Sequence, residues 1–191
     1  MIRDLILKNR SCRRFYENEE VPQKLLRDLV DMARFCPSGR NAQPLRYYIS
    51  ADRETSQLIF PYLRWAGYLK DWDGPEPGER PAAYIVVCHD TRISGTIECD
   101  AGIVLQSMLL DLVETGFGGC IIGSIEKEGL HKTLKLQSHL GILYVLAIGK
   151  PKETVVLEEG EDPDDIKYWR DENGVHHVPK RLLDEILIKP A

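Results

Sequence analysis

One segment restricts the fold more than any other. Ile97, Ala101, Val104, Leu105, Met108, Leu109 and Leu112 recur at helical spacing, and Ile103, Leu110 and Val113 put apolar groups on the other faces. A helix that is apolar on most sides is buried on most sides. In a chain of 191 residues it is either the central helix of a core or a subunit interface. Gln106, Ser107 and Asp111 interrupt the run from Ala101 to Val113, which is too short and too polar to span a bilayer.

The rest of the composition is that of one compact domain. The apolar fraction is 43%, enough for a sizeable core. A net charge of -5 gives no support for a nucleic-acid partner. The basic residues gather instead at Arg10 to Arg14 and at Lys180-Arg181, which suits a local anion site in an acidic protein. The count of five cysteines is odd, with no CxxC spacing and no signal-peptide pattern. That argues against a disulfide framework and for the reducing cytoplasm. Cys88-His89 and Cys99-Asp100 do not read as a metal site, because neighbours on a strand point to opposite faces.

Periodicity predicts a first helix over Ile2 to Asn9 and a second opening at Pro22, with Leu25, Leu26, Leu29, Val30 and Ala33 as its apolar stripe. Tyr47 to Ile49 reads as a strand and Ala83 to Cys88 as a buried one, followed by strands at Gly119 to Gly123 and Ile142 to Ile148. A short helix over Gly129 to Leu136 joins the last two. Asp71 to Pro81 is too rich in Pro and Gly for regular structure. Tyr62, Trp65, Tyr68 and Trp72 precede or open it, either as a substrate-covering lid or as ordinary aromatic packing. After a polar break at Asp162 to Asp165, Tyr168 to Val178 carries an Asn173-Gly174 turn, which signals a hairpin. Pro179 is expected to start a last helix through Ile188. The hairpin and helix bury little against their own neighbours, so they are expected to pack on a partner subunit.

Two segments carry chemistry. Cys36-Pro37-Ser38-Gly39-Arg40-Asn41-Ala42-Gln43-Pro44 places a hydroxyl and two carboxamides between prolines. It is either a plain connector or a cradle for a flat heteroaromatic edge with alternating donors and acceptors. Asn9-Arg10-Ser11-Cys12-Arg13-Arg14-Phe15 puts three guanidiniums at a helix exit. It is either a solvated basic helix end or a phosphate clamp. His131 and His139 read as surface residues. His176-His177 reads as part of the hairpin, with phosphate or substrate contact as the alternative. Gly116 to Gly123 follows a helix and precedes a strand, the reverse of a Rossmann phosphate loop, so its glycines read as a helix cap and a close backbone approach.

Together these segments resemble the nitroreductase family of flavoenzymes. The resemblance rests on Arg10-Ser11-Cys12-Arg13-Arg14-Phe15, on Pro37 to Pro44, on the run from Asp100-Ala101-Gly102 to Gly123, and on Ala147-Ile148-Gly149-Lys150-Pro151. It implies an α+β fold: a three-layer α/β/α sandwich with a mainly antiparallel central sheet and a C-terminal segment exchanged across a homodimer. Residues 1–191 would then form a single FMN-binding domain.

The resemblance also implies a function: an FMN-dependent oxidoreductase passing hydride from NADH or NADPH, through FMN, to nitroaromatic, quinone or related acceptors by an alternating scheme. No catalytic side chain is required, because the flavin N5 carries the reaction. Arg10, Ser11 and Arg13 would meet the phosphate, joined by Lys150, Lys180 or Arg181. Arg10 is also the candidate for stabilising a reduced, anionic flavin. Pro37, Ser38, Asn41 and Gln43 would meet the polar ring edge, from either subunit, and Ile122, Gly123 and Ser124 would lie against the ring. Ile122 stands where many relatives have an acidic residue. Tyr68 and Trp72 are the substrate-contact candidates. Specialised relatives leave two alternatives open: reductive dehalogenation or flavin fragmentation, and flavin binding with little turnover.

Overall fold

In the computed structural model, which describes residues 1–95, 97–160 and 166–188, the chain divides into two compact units. The first comprises Met1–Trp65 and Gly74–Lys152, the second Ala66–Asp73 and Glu153–Ala191. The polar break at Asp162 to Asp165 lies outside the described residues.

The first unit is built on four strands in the order β1-β2-β4-β3, all antiparallel: β1 (Leu45–Ser50), β2 (Ala83–Asp90), β3 (Gly118–Ile122) and β4 (Leu140–Gly149). Both faces of β2 are covered. Ala83, Ile85 and Val87 join Leu146 and Ile148 in one apolar cluster with α2 (Gln23–Ala33) and α4 (Ile97–Glu114). Tyr84, Val86 and Cys88 point the other way and are equally buried. On that side α3 (Arg53–Ile59) contacts β2, and α5 (Lys127–Thr133) follows β3. The result is the expected α/β/α layering around an antiparallel sheet. Each large side chain buried in these layers contributes roughly 1.5–3 kcal/mol.

The helix α4 is buried along Ala101, Val104, Leu105, Met108, Leu109 and Leu112, while Gly102, Ile103 and Gln106 stay exposed. It stops in a left-handed turn at Gly116 (φ 79°). There Phe117 N–H donates to Leu112 C=O at 2.8 Å and Gly116 N–H to Val113 C=O at 3.2 Å, the paired bonds of a Schellman cap. The chain can then turn straight into β3. The first helix, α1 (Ile2–Lys8), touches α4 but buries none of its residues; Ile2, Ile6 and Leu7 remain exposed. No helix among the described residues is long and apolar enough to cross a membrane.

The second unit holds a three-stranded sheet in the order β5-β7-β6, from β5 (Val155–Glu159), β6 (Trp169–Arg170) and β7 (His176–Lys180). The β6–β7 pair is the expected hairpin, with Gly174 at φ 79° in its turn. The parallel β5–β7 pairing was not expected from the sequence. Pro179 belongs to β7, opposite Glu158, and does not start a helix; the last helix, α6, covers only Leu183–Ile186. Proline is tolerated there because β6 pairs only with His176 and His177, so no neighbour needs the missing N–H. His177 stacks on Trp169 at 4.0 Å and bonds Glu158, which raises the imidazole pKa. In the same unit Tyr68 packs on Tyr168 at 4.9 Å, and the Arg170 guanidinium lies 4.7 Å over the Trp72 ring.

Within the first unit an ion cluster ties the N-terminal segment to the chain around Glu79 and Lys152. Arg14 grips Glu79 with two bonds of 2.5 and 2.7 Å, and Lys152 reaches the same carboxylate at 2.9 Å. Hydrogen bonding from Arg14, then Lys152, holds the Glu79 carboxyl at about 2, well below its ordinary 4.5. A carboxylate whose pKa falls on folding stabilises the fold above its unfolded value and loses that contribution as pH drops through the folded one. Acid titration followed by circular dichroism should therefore show stability falling between about 4.5 and about 2, with a shallower slope in Glu79→Gln.

Candidate functional site

The four sequence segments become neighbours through three contacts. Ser11 forms a parallel bridge with Gly119 at the start of β3, and Cys12 N–H donates to Gly119 C=O at 3.0 Å. Glycine is needed at 119 for its packing on β4 and α4: a Cβ there would lie 2.8 Å from the Ala147 carbonyl oxygen and 3.0 Å from the Leu109 side chain. Phe15, fully buried, lies over Gly149, where a Cβ would come within 2.8 Å of its ring. Phe15 also forms a bridge with Pro151. Finally, the loop after Pro37 is fastened to α4. Asp100, 2% exposed, accepts from the Ser38 hydroxyl at 2.6 Å and from Gly39 N–H at 3.0 Å. Ser38 Oγ in turn accepts from Gln43 N–H at 2.9 Å.

That fastening holds a strained backbone. Arg40, Asn41 and Gln43 all have left-handed φ, at 55°, 55° and 50°. Left-handed geometry in a residue with a Cβ costs on the order of 1–2 kcal/mol, and such strain concentrates at functional sites. Its consequence here is exposure: Asn41 and Gln43 project outward, and Gln43 Nε2 donates to Asn41 Oδ1 at 3.0 Å. The Asn41 amide nitrogen and the Gln43 amide oxygen are left with no partner among the described residues, a donor beside an acceptor. Pro37 is exposed on the same loop. Behind it a cavity of about 160 Å³ is lined by Ser38, Gln43, Tyr47 and Asp100, and burial pushes the Tyr47 phenol up to about 12.

The arginines divide their work. Arg14 is committed to Glu79. Arg13 donates to Ser11 C=O at 3.3 Å. Arg10 is half-buried; its Nη2 donates to Ile6 C=O at 2.7 Å, its buried Nε has no partner, and burial lowers its pKa. No carboxylate among the described residues pairs with it. A desolvated guanidinium satisfied only by a carbonyl is poised for an anion. Ser11, exposed beside it, adds a hydroxyl.

At the far end of β3, Gly123 and Ser124 are exposed, and Ser124 C=O accepts from Arg64 N–H at 3.0 Å. Ile122 is buried, so only its backbone can serve a ligand. The strand carries the chain roughly 13 Å from Gly119 to Gly123. Lys180, Arg181, Tyr68 and Trp72 lie in the second unit. Lys150 projects past Gly116, its Nζ 5.8 Å from the Phe117 ring. No group of three or more metal-ligating side chains occurs among the described residues.

Sequence reasoning gave no role to Asp100. Its signal was present as an acid at the start of an otherwise apolar helix. Replacing it removes the acceptor of two donors, each worth about 1–3 kcal/mol when left unmet in a buried place. Asp100→Ala should lower the unfolding free energy from urea titration by at least one such increment and release the loop, seen as faster amide exchange at Gly39 and Gln43.

A profile of the nitroreductase family matches residues 6–150. A protein of Methanothermobacter thermautotrophicus, provisionally named NADH dehydrogenase/NAD(P)H nitroreductase, is 26% identical over 166 residues, covering 84% of this chain and 83% of that protein. A nitroreductase family protein of Clostridium difficile superposes with a TM-score of 0.69 at 19% identity, over 100% of this chain and 98% of that one. Oxidized iodotyrosine deiodinase, in a structure bound to FMN and 3-iodo-L-tyrosine, gives a TM-score of 0.66 at 23% identity, over 90% and 96%. With the profile spanning most of the chain, and its segments packed around one helix and one strand, this protein belongs to the nitroreductase family.

Proposed function

We propose that the chain is an FMN-dependent oxidoreductase that works as a homodimer, moving two electrons from NAD(P)H to nitroaromatic, quinone or related acceptors. The observation that carries this reading is Arg10: a partly desolvated guanidinium with an unmet Nε, next to the exposed hydroxyl of Ser11. It suits the phosphate of a mononucleotide. When bound, FMN supplies the redox chemistry, accepting hydride and passing it on. Arg10, Ser11 and Arg13 hold the phosphate end. Asn41 and Gln43 present an adjacent donor and acceptor to the ring edge, on a loop whose shape Asp100 fixes. The backbone of Ile122, Gly123 and Ser124 faces the ring. Lys150, Lys180 and Arg181 are the further phosphate candidates, and Tyr68 and Trp72 the substrate candidates; single substitutions rank them.

The homodimer reading has its own support. Asn9 touches Gln106 at 3.4 Å, whereas Ser38 and Gly39 touch Asp100. Six helical residues separate the two contacts by about 9 Å along α4 and about 120° around it. One flavin meets both segments most simply when the arginines come from one chain and the loop from another. The exposed apolar residues of α1, with Ile103 of α4, provide a surface for that second copy.

The likeness to iodotyrosine deiodinase favours one second reading, reductive dehalogenation at the same flavin. Purified protein is expected to be yellow and to bleach on anaerobic addition of NADH or NADPH; reoxidation by a nitroaromatic, a quinone or an iodophenol ranks the acceptors. Flavin that resists both nicotinamides would mark a binding protein with little turnover, and protein that takes up no FMN would end the proposal. Arg10→Gln should weaken FMN binding about ten- to a hundredfold, the worth of one charge-assisted hydrogen bond. Sedimentation at micromolar concentration should give a dimer; a stable monomer would leave the two segments without a common ligand.

A further inference from the structure

The first unit contains a second cavity, of about 520 Å³, where β1 ends and β2 begins. That volume suits a small organic ligand. It is set apart from the Pro37–Pro44 loop and from β3. The length of β1 sets its Ile49 end roughly 16–17 Å from the Pro44 end of the Pro37–Pro44 loop. Three strand spacings, about 14 Å, separate β1 from β3 across the sheet.

Val21, Pro22, Ile49, Ala51, Phe60 and Pro81 give the cavity apolar walls. Two polar groups on this lining lack partners. The Arg80 guanidinium lies 4.2 Å over the Phe60 ring, its Nε is buried without a hydrogen bond, and no carboxylate among the described residues pairs with its side chain. Tyr84 lines the same space, and its hydroxyl has no hydrogen-bond partner among the described residues. Burial raises the phenol pKa, so it stays a neutral donor.

The other charges nearby are already engaged, with one exception. Glu17 accepts from Gly78 N–H and from Arg80 N–H, and approaches Arg53 at 3.9 Å. Asp52 caps α3 through Thr55 N–H at 2.7 Å. Glu20, exposed at the rim, is the one acid of the lining without a partner among the described residues.

We propose that this cavity binds a small aromatic carboxylate, its anion between Arg80 and Tyr84 and its ring against the Phe60 wall. A guanidinium already held over an aromatic face is suited to a planar carboxylate, which it engages through two parallel hydrogen bonds. The site operates independently of the flavin and would hold a ligand distinct from the redox acceptor.

Calorimetric titration of the flavin-loaded protein with 2-naphthoate tests this. Saturable binding is expected, with the flavin absorbance unchanged. 2-Naphthamide, which lacks the charge, should bind about tenfold more weakly or worse, and Arg80→Gln should weaken naphthoate about as much. Glu20→Gln should tighten it by removing a like charge. Amide shifts in a ¹⁵N spectrum of the unsubstituted protein give a measurement that needs no variant: they should move at Gln57 and Ala82 and stay still at Asn41 and Gly123. No saturation up to millimolar naphthoate, equal affinity for the amide, undiminished binding by a folded Arg80→Gln, or shifts confined to Asn41 and Gly123 would each overturn the proposal.

Discussion

The first unit depends on one helix whose polar residues are few and specifically employed. Burial of Ala101, Val104, Leu105, Met108, Leu109 and Leu112 pins α4 against β2 and β4. The Schellman cap at Gly116 then sends the chain directly into β3. Every segment that carries site chemistry is located from this pair of elements. Asp100, in the first turn of α4, sets the loop; Gly119, one residue into β3, sets the arginine segment. Because the sheet and helix are rigid, the two anchors are rigid as well.

The loop shows how local strain is sustained by a tertiary contact. Of the three left-handed positions only Asn41 has a residue that takes that backbone readily; Arg40 and Gln43 do not. The buried carboxylate of Asp100 holds Ser38 and Gly39, and Ser38 holds Gln43, so the intervening residues are left only a tight, partly left-handed path. The outcome is two carboxamides presented outward on a fixed frame, which is what a recognition edge needs. The arginines follow a similar division. Arg14 is spent on the structural cluster with Glu79 and Lys152, whereas Ser11 and Cys12 are set beside β3 by their bonds to Gly119.

How much of this was legible depends on whether the governing contact is local in sequence. Helices α2 and α4, the buried strand β2 and the Asn173-Gly174 hairpin follow from periodicity and turn chemistry, which act over a few residues. Helix α6 was overestimated because Pro179 is as acceptable on an unpaired strand position as at a helix start. The parallel β5–β7 pairing joins residues about twenty apart and leaves no local mark. Which of three neighbouring arginines would be left available was equally hidden, since Glu79 lies 65 residues from Arg14.

Sequence by itself determined the main helices and buried strands of the first unit, the family signatures and the types of group on offer: guanidiniums, carboxamides, a hydroxyl and glycines where backbones must meet. These are properties of single residues and short spacings. Tertiary structure alone decided which of those groups are engaged and which are exposed for a ligand. Arg14 and Arg10 differ by four positions and by nothing in side-chain chemistry; one meets a carboxylate across the fold, the other a lone carbonyl. The physical reason is that pairing and desolvation depend on distance in space, which sequence order does not encode.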